Sequence, residues 1–159
     1  MSVLHTVWIE SATHEDYKKL FKNYFSEFGF NISDQSFVKM NHDVKTYHMK
    51  IIMLYENLKP VGFALFQVDK KENPWCMKEG AGDIREFYIE PSFRRKGYGR
   101  VLFQAIKTWF QGQNVSEILP TCDDQQDFWL NLGFKDLGYK IEENNSQVFG
   151  YDLKKTTRS

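Results

Sequence analysis

The chain has 159 residues, a length typical of one domain that can bury a substantial hydrophobic core. Its 21 Lys and Arg residues equal its 21 Asp and Glu residues. This balance argues against nucleic acid as the main partner, because binding to a phosphate backbone requires a basic excess. No apolar run approaches the roughly 20 residues of a membrane-spanning helix, and the N-terminus lacks a signal-peptide pattern. We therefore expect a cytoplasmic protein that does not bind membranes.

The first elements are a strand and an aromatic helix. Residues 5–10 predict the strand, and Thr13 with Asp16 resembles a capping box at a helix start. Apolar side chains then recur at spacings of three and one over residues 17–28, which predicts an amphipathic helix that ends near Gly29. We interpret this aromatic stripe as core.

The middle of the chain predicts a hairpin and a further strand. Residues 31–43 are polar and irregular, and we expect a loop there. Residues 47–55 and 61–69 predict two strands around a turn at 56–60. The connection at 75–82 has no predicted shape, and residues 84–89 predict a strand that is closed by a proline.

The last part predicts two helices and three strands. A helical stripe over 101–110 precedes a short strand at 116–119. Residues 123–132 predict a helix that Gly133 ends. Residues 135–142 and 147–154 predict a strand pair around a turn at 143–146. Because no repeat or linker interrupts the pattern, we expect one domain over residues 1–159.

The strongest functional signal lies between the strand at 84–89 and the helix at 101–110. Residues 94–100 read Arg-Arg-Lys-Gly-Tyr-Gly-Arg. The two glycines allow a tight turn, and the following helix directs its unpaired amides and positive end toward that turn. This predicts an anion pocket that suits a pyrophosphate. The spacing is neither that of a Walker loop nor that of the dinucleotide fingerprint. A plain solvated loop and a weak nucleic-acid site are the alternatives.

Three segments resemble the GNAT superfamily of acyl-CoA-dependent N-acyltransferases. Arg94-x-x-Gly97-x-Gly99 is similar to the family signature [Q/R]-x-x-G-x-[G/A]. The aromatic pair and Gly-Phe within residues 128–134 and the strand that begins at Pro60 also match. The resemblance implies an α/β (α+β) fold with a mixed, mostly antiparallel sheet of six to seven strands and about four helices. It also implies a splay between the fourth and fifth strands.

The resemblance further implies an N-acetyltransferase with acetyl-CoA as acyl donor and a primary amine of a small molecule or peptide as acceptor. Main-chain groups of Tyr88 and Ile89 would pair with the pantetheine arm, and the amides from Arg95 to Arg100 would bind the pyrophosphate. The implied cofactor-binding residues are Tyr88, Ile89, Arg94, Arg95, Lys96, Gly97, Tyr98, Gly99 and Arg100. A non-catalytic acyl-CoA-binding module is the alternative function, and a homodimer is one assembly that the sequence allows.

The candidate general bases are two carboxylates on the fourth strand, where many relatives place one. Glu86 is slightly favoured over Asp83, and a structural ion pair is the competing interpretation of Glu86. Strand alternation places Asp83 and Arg85 on one face and Glu86 on the other unless a bulge intervenes. Arg85 stands where the family often has a glutamate, and a second hypothesis is that it binds a carboxylate of the acceptor.

The general acid is missing from its usual position. Trp129 stands where the family frequently has a tyrosine, and an indole does not donate a proton at neutral pH. Water, Tyr139 or Tyr151 are the alternatives. We expect Cys122 to be an inert thiol and Trp75 to be a candidate for the acceptor pocket. The cysteines and histidines lack metal-ligand spacing, so no metal site is predicted.

Overall fold

The computed structural model describes residues 3–121, 126–141 and 146–153. Within these residues the chain forms seven strands and four α-helices. Their bounds in chain order are β1 Leu4–Ile9, α1 Glu15–Ser26, α2 Asp34–Thr46, β2 Lys50–Glu56, β3 Lys59–Val68, β4 Gly82–Ile89, α3 Tyr98–Gly112, β5 Glu117–Ile118, α4 Gln126–Leu132, β6 Lys135–Ile141 and β7 Ser146–Asp152.

The strands form one sheet in the order β1-β2-β3-β4-β5-β7-β6. The β4–β5 pair is parallel, whereas β1–β2, β5–β7 and β6–β7 are antiparallel. A mixed, mostly antiparallel sheet with four helices in the described residues confirms the predicted fold class. No helix in that part of the chain has the length and apolar character needed to cross a membrane.

The described part of the β4–β5 pairing is short. Gly82 lies opposite Ile118, and the ladder continues with hydrogen bonds from Leu119 N to Gly82 O (2.7 Å) and from Thr121 N to Ile84 O (3.0 Å). Residues 122–125, which include Cys122 and the predicted start of the next helix, lie outside the described residues, as does most of the predicted turn at 143–146. The splay of β4 from β5 therefore stays a prediction.

The chain divides into two compact units. Unit 1 comprises residues 3–65 and 87–105, and unit 2 comprises the described parts of 66–86 and 106–153. Strands β3 and β4 and helix α3 contribute residues to both units. The single domain expected from the sequence stays a prediction.

The core of unit 1 is the aromatic face of α1. Tyr17, Phe21 and Tyr24 are buried, and the rings of Tyr17 and Phe21 lie 5.1 and 5.6 Å from that of Phe63 on β3. The predicted core stripe is therefore confirmed as far as Tyr24, whereas its last member, Phe28, is 47% exposed beyond the end of α1. The predicted capping box is wrong, because the Nδ1 atom of His14 accepts the hydrogen bond from Asp16 N (3.2 Å). Thr13 instead hydrogen-bonds the Ser11 hydroxyl (2.6 Å).

Helix α2 occupies most of the segment that was expected to be a loop, so that expectation was wrong. Ser33 caps the helix by accepting a hydrogen bond from Ser36 N (3.3 Å). Phe37 and Val44, two turns apart, are its buried residues, and Met40 between them accepts a hydrogen bond from Tyr17 Oη (3.0 Å). The apolar face is one residue wide, so polar neighbours hide the helical period in the sequence.

Gly62 on β3 allows close approach of the β4 backbone. A Cβ atom at this position would lie 2.7 Å from the carbonyl oxygen of Tyr88 and 2.7 Å from Cδ1 of Ile89. We expect Gly62→Ala to lower the free energy of unfolding by about 1–3 kcal/mol, because the β4 main chain must shift. Urea denaturation measures the change. The matched control is Gly112→Ala, where an added Cβ meets no atom within 4 Å; an equal loss in both variants would contradict the crowding.

The core of unit 2 forms where β3 meets the second half of α3. The ring of Phe66 lies 5.4 Å from that of Trp109 and 5.7 Å from that of Phe110. Trp129 of α4 is buried against Phe134 at 5.0 Å. Gly133, at φ 105°, follows α4 as predicted.

Strand β4 is not regular along its whole length. Hydrogen bonds from Glu90 N to Val61 O (2.9 Å) and from Asp69 N to Ala81 O (2.8 Å) mark two positions of its pairing with β3. Between them β4 has one residue more than β3, so a bulge interrupts the alternation of its side chains. The sheet face on which a β4 side chain lies therefore has to be read from its contacts, because alternation along the sequence does not predict it.

Candidate active site

The predicted anion-binding turn connects β4 to α3 within unit 1. Arg95 and Gly97 adopt left-handed conformations, with φ of 64° and 83°. The first α3 hydrogen bond runs from Val101 N to Gly97 O (3.2 Å). Turns of this kind direct successive backbone N–H groups toward one concavity, and left-handed geometry there favours glycine. The second glycine of the motif, Gly99, lies in the first turn of the helix.

There is free space beside Gly97 in this turn. A Cβ atom added to Gly97 would meet no atom within 4 Å. Since α3 begins at Tyr98, the amides of its first turn have no acceptor within the helix, and its positive dipole end lies at the turn. The main chain therefore provides several donors and a positive potential, and this donor set fits a pyrophosphate.

The basic side chains of the turn divide into two groups. Arg94 already has protein partners, because its Nε donates to Ile89 O (2.8 Å) and its Nη2 donates to Glu27 (3.1 Å). Arg95, Lys96 and Arg100 lie exposed. We infer that Arg94 fixes the end of β4.

The predicted pantetheine-binding residues have buried side chains. Tyr88 and Ile89 are 2% and 8% exposed, so any contact with a ligand would use their main chain. Burial, and then the hydrogen bond to Glu90, raises the pKa of Tyr88. The Ile89 carbonyl accepts the Arg94 hydrogen bond. Sequence reasoning missed this contact, because a side chain five residues later gives no signal of it.

Tyr98 and Phe93 stabilise the turn through ring stacking and a hydrogen bond. Their rings stack at 6.0 Å, and the Tyr98 hydroxyl donates a hydrogen bond to Glu56 at the end of β2. This hydrogen bond raises the pKa of Tyr98. Lys96 Nζ lies 5.5 Å from the centre of the Phe93 ring. The turn is thus fixed to the β2–β3 hairpin.

Unit 2 contains a pair of buried carboxyl groups. Asp83 is fully buried, and its Oδ1 accepts a hydrogen bond from Thr121 Oγ1 (3.0 Å). Asp69, at the end of β3, is 1% exposed and accepts hydrogen bonds from Gln67 Nε2 (3.2 Å) and Met77 N (3.1 Å). Burial, and then the charge of Asp69, raises the pKa of Asp83 to about 8. Burial also raises the pKa of Asp69. These effects favour the protonated form of Asp83 at neutral pH.

Glu86 differs from Asp83 in its access to solvent. It is half-buried, whereas Asp83 has no exposed surface. A group that takes a proton from a bound amine must be reachable by that amine. The partial exposure of Glu86 agrees with its predicted role as the base, and the roles of both carboxylates stay predictions.

Arg85 lies between these two carboxylates in sequence and contacts only one of them among the described residues. Its Nη1 is 3.7 Å from Asp83 Oδ2, and its guanidinium lies over the Trp75 ring, with Cζ 4.5 Å from the ring centre. The structure thus brings together Asp83, Arg85 and Trp75 from the sequence-predicted residues and adds Asp69. Asp69 directly follows the apolar strand β3, and this position was the sequence signal that could have identified it as a candidate site residue.

The residues considered as proton donors differ in exposure and have contacts of their own. Trp129 is 1% exposed within an aromatic cluster, so its indole is a core element. Tyr139 is 52% exposed on β6. The ring of Tyr151 on β7 packs on Phe134 at 5.1 Å, with Lys107 Nζ 5.4 Å from its centre. Over residues 3–121, 126–141 and 146–153, no group of three His, Cys, Asp or Glu side chains is arranged to hold a metal ion.

Comparison with known families gives one sequence match. The model of the acetyltransferase (GNAT) family matches residues 12–134. This region contains the turn, both candidate bases and the α4 aromatic pair. The sequence matches no protein of curated function.

Solved structures share the fold at low sequence identity. An N-acetyltransferase from Staphylococcus aureus Mu50 aligns with a TM-score of 0.72 and 16% identity, over 96% of this chain and 99% of that chain. The aminoglycoside N-acetyltransferase AAC(6′)-Iy in complex with CoA aligns at 0.72 and 17%, over 89% and 93%. The same enzyme with the bisubstrate analogue CoA-S-monomethyl-acetylneamine aligns at 0.72 and 16%, over 88% and 96%.

Proposed function

Because this chain belongs to the acetyltransferase (GNAT) family, we propose that it transfers an acetyl group from acetyl-CoA to a primary amine of a small molecule or peptide. The observation that carries the proposal is the left-handed turn at Arg95 and Gly97, which has free space beside Gly97 and leads directly into the first turn of α3. The solved complexes of AAC(6′)-Iy with CoA and with a bisubstrate analogue support acetyl-CoA as the donor.

The reaction that we propose is direct attack of the amine on the thioester. The neutral nitrogen forms a bond to the acetyl carbon, the carbon–sulfur bond breaks, and coenzyme A leaves with the electron pair as thiolate. The amine loses one proton to a base, and the thiolate gains one from water or a tyrosine. In this chain Glu86 serves as the base, and the turn at residues 95–100 holds the donor by its phosphates.

Glu86→Gln tests the base. We expect kcat to fall by about a hundredfold or more, because the amide cannot accept the proton, while the affinity for acetyl-CoA stays unchanged. Free thiol released from acetyl-CoA gives the rate, and calorimetry gives the affinity. Glu79→Gln, which changes an exposed glutamate of unit 2, is the matched control and should retain wild-type kcat. Normal kcat in Glu86→Gln would exclude Glu86 as the base.

The competing function is a module that binds acyl-CoA without turnover, which the missing tyrosine at Trp129 favours. Incubation with acetyl-CoA and a broad amine panel, followed by mass spectrometry for a single acetyl increment, separates the two. An acetylated amine supports the enzyme. Tight acetyl-CoA binding without any acetylated product would establish the module.

A further inference from the structure

Arg85 in unit 2 is a charged side chain whose contacts in the described residues are a long ion pair and an aromatic ring. Its side chain is 26% exposed, and the nearest carboxylate oxygen, Asp83 Oδ2, lies at 3.7 Å, beyond hydrogen-bond distance. The guanidinium lies over the Trp75 ring, with Cζ 4.5 Å from the ring centre. Contact with an aromatic ring uses none of the five N–H donors of an arginine in a conventional hydrogen bond.

The two buried acids near Arg85 take their hydrogen bonds from other groups. Asp69 uses its two oxygens for hydrogen bonds from Gln67 Nε2, Met77 N and Lys78 N. Burial and the charge of Asp69 raise the pKa of Asp83 to about 8, which favours its protonated form near neutral pH. A guanidinium stays charged at every physiological pH. The nearest carboxylate oxygen to Arg85 in the described residues lies at 3.7 Å, so its N–H groups are able to donate to an added carboxylate.

We propose that Arg85, held against Trp75, binds a carboxylate carried by the amine acceptor, an inference that rests on the proposed function. A carboxylate is planar and offers two oxygens, which match the two-pronged donor geometry of arginine. The acceptor class is thus an amine that also bears a carboxylate, such as an amino acid or a peptide with a terminal or side-chain carboxylate. The phosphates of the donor are assigned to the separate turn at residues 95–100.

Paired acceptors test this assignment. Amino acids and the matching amino-acid amides differ only in the carboxylate, and kcat/KM is measured for both with acetyl-CoA. We expect the unmodified protein to prefer the acids. Arg85→Gln should lower kcat/KM for the acids by about ten- to a hundredfold and for the amides by less than about twofold. Arg85→Lys keeps the charge but loses the two-pronged donor geometry. Its kcat/KM for the acids should lie between the values for the unmodified protein and for Arg85→Gln.

Lys71→Gln is the matched control, since it removes a positive charge from an exposed residue of the same β3–β4 connection. Its kcat/KM for amino acids and for amino-acid amides should equal that of the unmodified protein. An equal loss for acids and amides in Arg85→Gln would indicate a structural role and overturn the proposal. A preference of the unmodified protein for amides would also overturn it.

A binding measurement separates this inference from the proposed function. Amino acids are titrated into protein that is saturated with coenzyme A, for the unmodified chain and for Arg85→Gln. Binding that depends on Arg85 without turnover of any amine would support the carboxylate site and remove the enzyme. Turnover of amines without dependence on Arg85 would support the enzyme and remove the carboxylate site. Neither binding nor turnover would overturn both.

Discussion

A Gly99→Glu variant is expected to lose at least about a hundredfold in affinity for acetyl-CoA while keeping its fold. Gly99 lies in the first turn of α3, beside the left-handed residues of the turn. A glutamate there places a negative charge where the phosphates are proposed to bind. The same charge favours the N-terminal end of a helix, so the free energy of unfolding should not fall. Calorimetric titration and urea denaturation measure the two quantities.

Glutamate substitutions at two other glycines, one in the turn and one at the far end of α3, provide the comparisons for acetyl-CoA affinity. Gly97→Glu should also abolish binding, but φ of 83° strains any side chain there, so loss of binding would mix charge with backbone strain. Gly112→Glu at the opposite end of α3 is the matched control, because an added Cβ meets no atom within 4 Å. It should bind acetyl-CoA normally. Unchanged affinity in a folded Gly99→Glu protein would remove the anion-binding assignment and the proposed function with it.

The sequence predicted the elements whose signals are local. The aromatic period of α1, the glycine that follows α4 and the two glycines before α3 each depend on residues close in sequence. These signals also located the turn at residues 94–100, because a tight turn and a helix start are adjacent features. Neighbouring residues alone are sufficient for this prediction, since the residues that set the backbone conformation of the turn also supply its N–H donors.

The sequence did not predict the features that depend on strand pairing. Asp69 and Asp83 lie near one another because β3 and β4 are adjacent in the sheet, and the charge of one raises the pKa of the other. The bulge of β4 likewise appears only from its hydrogen bonds with β3. Helix α2 was missed for a different reason, since its two buried residues, Phe37 and Val44, are too few to produce a visible period.

Protonation of Asp83 connects the buried carboxyl pair to stability. The pKa of its carboxyl is about 8 in the folded chain against an ordinary value of 3.8. The folded state therefore binds more protons than the unfolded state between these two values. In that window the free energy of unfolding must fall as the pH rises. Below about pH 4 the contribution is constant, and above about pH 8 the loss is complete.

Asp83→Asn removes this titration and is expected to become more stable than the unmodified chain as the pH rises. The stability difference between the two proteins should change by roughly 3–4 kcal/mol between pH 5 and pH 8, in favour of the asparagine variant. Urea denaturation at pH 5, 6.5 and 8 measures it. Asp34→Asn is the matched control: hydrogen bonding and the charges of Lys22 and Lys18 lower the pKa of Asp34. Its difference from the unmodified chain should stay constant over this range.

A flat difference for Asp83→Asn would mean that Asp83 is ionised in the folded chain and forms an ordinary ion pair with Arg85. The guanidinium would then be neutralised from within the protein, and a substrate carboxylate would have to compete with a buried one. If the stability of the unmodified chain relative to Asp83→Asn falls as the pH rises, Asp83 is protonated in the folded chain at low pH. The charge of Arg85 is then not neutralised by Asp83. The pH dependence of stability, measured without any substrate, therefore decides how much positive charge unit 2 offers to an acceptor.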